Sequence, residues 1–151
     1  MGNIFNEDFQ DFLLALNKAK VKYVLVGGYS VIYHGFPRTT GDLDIFVEVS
    51  EQNYTAIEKA FSIFGMPLFD MTKENFLYNE KLGVFSFGRA PVSIELLKEI
   101  TGLKFKDVLE QAINTEIEGI PLKIISLKHL KENKKQSGRN KDLNDLENLP
   151  E

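Results

Sequence analysis

The sequence predicts an α+β fold, a mixed β-sheet flanked by helices, on three observations. Two pairs of strand-like segments join through short turns: 84–87 to 92–97 across Gly88-Arg89-Ala90-Pro91, and 113–117 to 120–125 across Glu118-Gly119. Helical stripes are interposed between these hairpins and two further apolar strands, unlike the regular alternation of a doubly wound parallel sheet. The 151 residues are 43% hydrophobic. With no internal repeat and no low-complexity stretch before the last ~25 residues, this suits one domain over residues 1–151 with its own core.

Each element has a local cause. Phe5, Phe9, Phe12, Leu13 and Leu16 recur at helical spacing and form one apolar stripe. Residues 22–26 read as a short buried strand ending at Gly27-Gly28, and residues 30–34 as a short helix closed by Gly35 and Pro37. Residues 43–49 form the next strand. Ser50 is an N-cap for a helix with Ile57, Ala60, Phe61 and Phe64 on one face, and Gly65 ends it. Shorter helices are predicted over 72–79 and 104–112. Ser126 caps a final helical segment, about 126–149, whose first part carries Lys128, Lys131, Lys134, Lys135, Arg139 and Lys141. Such a basic run is ordinarily a solvated face. Beyond Gly138 the pattern becomes amphipathic through Leu143, Leu146 and Leu149.

Charge and composition exclude several function classes. Eighteen Lys and Arg stand against 22 Asp and Glu, a net charge of −4, which argues against a general nucleic-acid coat or a polybasic membrane binder. Cysteine is absent, which removes disulfides, thiolate metal sites and cysteine nucleophiles together. The first residues have no basic n-region, and Asn6 stands where a myristoylation motif needs Ser or Thr. The apolar runs fall far short of the ~20 residues of a spanning helix. A cytoplasmic protein without a membrane partner is the expectation.

The informative segment is residues 24–49, VLVGGYSVIYHGFPRTTGDLDIFVEV. A strand delivers Gly27-Gly28 to a turn that opens into a helix. Without side chains there, backbone N–H groups approach a phosphate, and Ser30 adds a hydroxyl to the same anion. Asp42 and Asp44 lie two apart on the next strand, so both carboxylates face one side, roughly 6–7 Å apart along the chain. Such a pair is costly unless a cation sits between them, and hard oxygen donors without His or Cys suit Mg²⁺ or Mn²⁺. Arg38 reads equally as a phosphate contact or as a loop tie to an acid. His34 reads as a packing residue.

These residues resemble the hG[GS]…[DE]h[DE]h signature of the nucleotidyltransferase superfamily, which includes DNA polymerase beta and the minimal nucleotidyltransferases. The tail, GRNKDLNDL from Gly138 to Leu146, is similar to an ending found in small nucleotidyltransferase-like proteins and in abortive-infection-type toxins. The resemblance implies a nucleotidyltransferase-like fold and a third carboxylate on a later strand, where Val92-Ser-Ile-Glu95-Leu-Leu supplies Glu95. It implies that Gly27, Gly28 and Ser30 hold the phosphates of a nucleoside triphosphate and that Asp42 and Asp44 hold Mg²⁺. Glu95 then completes the metal site and deprotonates a hydroxyl acceptor on RNA, protein or a small molecule. Arg139 and Lys141 reach the triphosphate or an RNA acceptor. A homodimer is compatible with so short a chain, since no separate acceptor-binding region stands out.

Asp is common at the third position, and the extra methylene of Glu95 moves a metal or base by about 1 Å, a displacement that costs ~10²-fold in rate. An alternative reading is therefore a weak or inactive nucleotide-binding regulator, including a toxin–antitoxin-type component that acts with a partner.

Overall fold

The computed structural model describes residues 5–89 and 92–151. The expectation placed on the first residues, as far as it concerns 1–4, and that on Ala90-Pro91 of the first turn lie outside the described residues. Helix α1 (Glu7–Lys18) begins where Asn6 Oδ1 accepts the Phe9 N–H at 2.8 Å. It buries the predicted stripe of Phe9, Phe12, Leu13 and Leu16, with Phe5 buried just ahead of it. Strand β1 (Tyr23–Val26) is buried throughout, and helix α2 (Gly27–Tyr33) follows it without a loop. Strand β2 (Asp42–Val47) leads to helix α3 (Glu51–Phe64). Ser50 caps α3 by accepting the Asn53 N–H, and Gly65 ends it with φ 87°, a left-handed conformation that costs glycine little.

Helix α4 (Lys73–Leu77) precedes the hairpin of β3 (Val84–Arg89) and β4 (Val92–Leu97). Helix α5 (Phe105–Gln111) precedes the second hairpin, β5 (Ile113–Ile117) and β6 (Ile120–Ile124). Helices α6 (Leu127–Ser137) and α7 (Asn140–Asn148) close the described chain, with Ser126 as the cap of α6 and Gly138 as its left-handed stop.

The six strands form one sheet in the order β3-β4-β2-β1-β6-β5. Both outer hairpins and the β1–β2 pair are antiparallel, whereas β2–β4 and β1–β6 are parallel. The sheet is therefore mixed, as predicted. Period-2 alternation divides its faces. Leu43 on β2, Ile94 on β4 and Phe87 on β3 lie in one row, and Phe87 meets Phe61 of α3 at 4.9 Å between ring centroids. Phe61 also stacks edge-on against Phe12 of α1 at 5.6 Å, so α1 and α3 cover this face. Burying each such ring is worth about 1.5–3 kcal/mol. Phe46 points to the opposite face and meets Phe105 of α5 at 5.1 Å. Asp42 and Asp44 share that second face.

Two features differ from the sequence reading for identifiable reasons. Helix α2 begins at Gly27 rather than near residue 30, because Ser30 Oγ donates to the Gly27 carbonyl at 2.6 Å and closes the first turn. The leucine stripe of α7 is only partly inside: Leu149 at its C-cap is buried and Leu146 half-buried, but Leu143 is 44% exposed, while Asp142 and Asp145 are buried. Among the described residues no helix is long and apolar enough to cross a membrane.

Candidate active site

Backbone register brings the three predicted carboxylates together. Asp44 on β2 stands opposite Val26 on β1 and opposite Glu95 on β4, while Asp42 stands opposite Ser93. Asp42, Asp44 and Glu95 thus occupy adjacent positions on one face of the central strands. Ser93 Oγ bridges two of them, 2.7 Å from Asp42 Oδ1 and 3.0 Å from Glu95 Oε1. Ser86, opposite Glu95 on β3, donates its hydroxyl to Glu95 Oε2. Ser93 was legible in the sequence as the same-face neighbour two residues before Glu95. Ser86 was not, because only strand pairing brings it there.

The glycine pair serves the carboxylate directly. Gly27 has φ +70°, and a Cβ on it would lie 2.0 Å from Asp44 Oδ2. A Cβ on Gly28 would lie 2.4 Å from Thr40 Oγ1. The Gly28 N–H faces Asp44 and favours its charged form. Only bare backbone fits against Asp44 and Thr40 at these two positions.

Burial, then the charges of Asp42 and Glu95, push the Asp44 carboxyl up to about 6, against the weaker pull of Lys141 and the Gly28 N–H. Among the described residues no Lys or Arg nitrogen forms an ion pair with Asp42, Asp44 or Glu95. The cluster is an uncompensated group of hard oxygen donors, and that chemistry fits Mg²⁺ or Mn²⁺. The side chains do not close into a ready-made cage: among the described residues no three Asp, Glu or His groups converge in that way. Serine hydroxyls hold Glu95 and Asp42 instead.

The other predicted residues divide. Ser30 is fully buried, with its hydroxyl given to Gly27, so it is not presented to an anion. Arg38 is a loop tie. Its Nη2 donates to Asp145 Oδ2 at 3.0 Å, and its Nε lies 2.8 Å from Asp145 Oδ1, an ionic contact off the hydrogen-bond line. His34 packs, with Nε2 2.8 Å from the Ile125 carbonyl. Arg139 and Lys141, at the start of α7, are exposed and close enough to Asp44 to interact with it electrostatically.

Sequence reasoning missed the ionic cluster beneath them. Lys134 Nζ lies 3.1 Å from Asp142 Oδ1 and 3.0 Å from Asp145 Oδ2, with all three side chains buried. Ser137 Oγ and Arg139 Nε each add a 2.7 Å hydrogen bond to Asp142 Oδ2. Burial alone pushes Asp142 up, but hydrogen bonds from Arg139, Ser137 and Lys134, with the Lys134 charge, outweigh it and hold the carboxyl well below its ordinary range. The signal was present in the sequence as Lys134 and the spacing of Asp142 and Asp145, one face of a helix three residues apart.

An apolar hollow of the surface lies elsewhere. A cavity of about 510 Å³ at the far end of β1, lined by residues such as Val21, Tyr23, Leu109 and Leu122, shares no residue with the carboxylate cluster. Chemistry, and not cavity size, therefore locates the site. The family model described as "Nucleotidyl transferase of unknown function (DUF2204)" matches residues 6–151. No curated protein matches the chain.

Proposed function

The chain belongs to this nucleotidyl transferase family, and from that premise we propose that it transfers a nucleoside monophosphate from a triphosphate to a hydroxyl acceptor. The observation that carries the reading is the row of three carboxylates, Asp42, Asp44 and Glu95, set against side-chain-free backbone at Gly27-Gly28. Asp42 and Asp44 would hold Mg²⁺ or Mn²⁺, with Glu95 turning from its serines to complete the site. A divalent cation bound there supplies Lewis-acid stabilisation of the charge that develops on the transferring phosphoryl group.

The remaining work falls to the chain's own groups. Gly27 and Gly28 keep the space beside Asp44 free of side chains. Arg139 and Lys141 carry positive charge to the phosphates from the start of α7. Glu95 accepts the proton of the acceptor hydroxyl as its oxygen bonds to the α-phosphorus. The bond from the α-phosphorus to the bridging oxygen breaks, and pyrophosphate leaves. The acceptor class is a hydroxyl on RNA, protein or a small molecule.

A second reading has its own observation: the Glu95 carboxylate is occupied by Ser86 and Ser93. Held there, it would leave a protein that binds triphosphate without turnover. Pyrophosphate release from mixed nucleoside triphosphates, with Mg²⁺ and total RNA or lysate as acceptor, separates the two. Release that is lost in Glu95→Ala supports transfer. Thermal stabilisation by triphosphate without release supports the regulator. Triphosphate binding that survives Asp42→Asn with Asp44→Asn overturns the site.

A further inference from the structure

We infer that Asp145 and Lys134 are positioning residues for the site around Asp44, acting through Arg38 and Asp142. The inference deepens the nucleotidyl transfer reading, which supplies only what the site binds. Asp142 is 1% exposed and Asp145 fully buried, so neither acid of the tail motif is open to a metal or a substrate. Their charges are spent within the protein, and both are bridged by the single ammonium of Lys134.

Two arms run from this bridge to Asp44. The first passes from Asp145 to Arg38, whose Nη1 also donates to the Thr39 carbonyl at 3.1 Å. The next residue, Thr40, presses against Gly28, and the adjoining Gly27 lies directly against Asp44. The second passes from Asp142 to Arg139, fixing the first turn of α7 so that Arg139 and Lys141 lie near Asp44. Bidentate and buried ionic contacts have narrow geometry, so the bridge sets where the loop at 38–41 and the start of α7 stand relative to the sheet. A simple fastening of α7 would need only the α6–α7 contacts. The reach of Asp145 across to Arg38 ties the fastening to the loop that carries Thr40.

The test uses the full chain with Arg38→Lys, which keeps the charge but loses the two-point contact, and Asp145→Asn. Hydrogen exchange is followed at Gly28 and at residues 39–44, with β5–β6 amides as the internal reference. Affinities for Mn²⁺ alone and for Mg·ATP are measured alongside. A positioning role is expected to speed exchange at Gly28 and 39–44 tenfold or more in both variants, with the reference amides unchanged and Mg·ATP affinity down at least tenfold. Folded variants in which only α7 amides exchange faster would overturn it, leaving α7 merely fastened. Uniformly faster exchange across the reference strands overturns it as well. Should Asp145→Asn not fold, Arg38→Lys decides. A wild-type chain that binds no Mg·ATP removes the proposed function, while the exchange comparison still settles the positioning role.

Discussion

Asp44 sits where burial and two neighbouring carboxylates disfavour its charge, and its folded-state pKa of about 6 makes that a statement about stability. Between its ordinary value and about 6 the folded state binds the proton more tightly than the unfolded chain. This group therefore contributes stability at low pH that is lost as pH rises through 6. A shift of this size corresponds to on the order of 3 kcal/mol, and partial solvent access reduces it to about 1–3 kcal/mol. Asp44→Asn keeps the shape of the side chain and removes the charge. It should raise the unfolding midpoint at pH 7.5 by roughly 3–8 °C and give no gain near pH 4, as thermal scans at the two pH values will show. A divalent ion competes with the same proton, so Mn²⁺ should stabilise the chain more at pH 7.5 than at pH 5, read as the metal-induced shift in midpoint. At Gly27, alanine would meet both a left-handed φ and Asp44 Oδ2. Gly27→Ala should destabilise by about 1–3 kcal/mol and abolish Mn²⁺ binding, measurable by denaturant titration and by electron paramagnetic resonance.

Among the elements, α7 is held in an unusual way. Its buried positions include Asp142 and Asp145, neutralised by Lys134, Arg38 and Arg139. Breaking a buried pair leaves an uncompensated charge, so Lys134→Ala should cost about 3–5 kcal/mol in urea unfolding. Lys134→Gln, which retains a donor, should cost less. This helix also shows why part of the reading failed. Leucines at 143, 146 and 149 suggested an apolar face; Leu149 is buried and Leu146 half-buried, but Asp142 and Asp145 take the innermost positions on the ion bridge and Leu143 faces solvent. Helix α3 is the opposite case. Its cap at Ser50, its stop at Gly65 and its face of Ile57, Ala60 and Phe61 are local features, and the sheet accepts that face unchanged. Phe61 lies between Phe12 and Phe87, and Phe61→Ala should cost about 3–5 kcal/mol by the same measurement.

Across the whole molecule the two unusual acids act in opposite directions. Asp44 gains stability as pH falls from about 6 to about 4, whereas Asp142, held low, contributes stability that is lost only as pH falls below about 4. Together they place the maximum of the stability curve on the acid side of neutrality, which urea titrations at pH 3, 4.5 and 7.5 will test. A curve that rises steadily to pH 7.5 would contradict the pair. The sequence by itself determined the α+β class, the two hairpins, the caps at Ser50 and Ser126 with the stop at Gly65, and the same-face placement of Asp42 with Asp44, because these depend on periodicities of 2 and 3.6 and on single capping residues. Only the tertiary structure decided that Glu95 joins Asp44 through parallel pairing, that Ser86 and Ser93 hold it, that Ser30 turns inward, and that Arg38 and Lys134 meet the acids of α7. Those contacts span from two to more than a hundred residues of chain. Apart from the local Ser93–Glu95 and Ser30–Gly27 contacts, they depend on which strands pair and which helices and loops pack together, and the energy of burying a charge next to its partner is set by that assembly and by no local pattern.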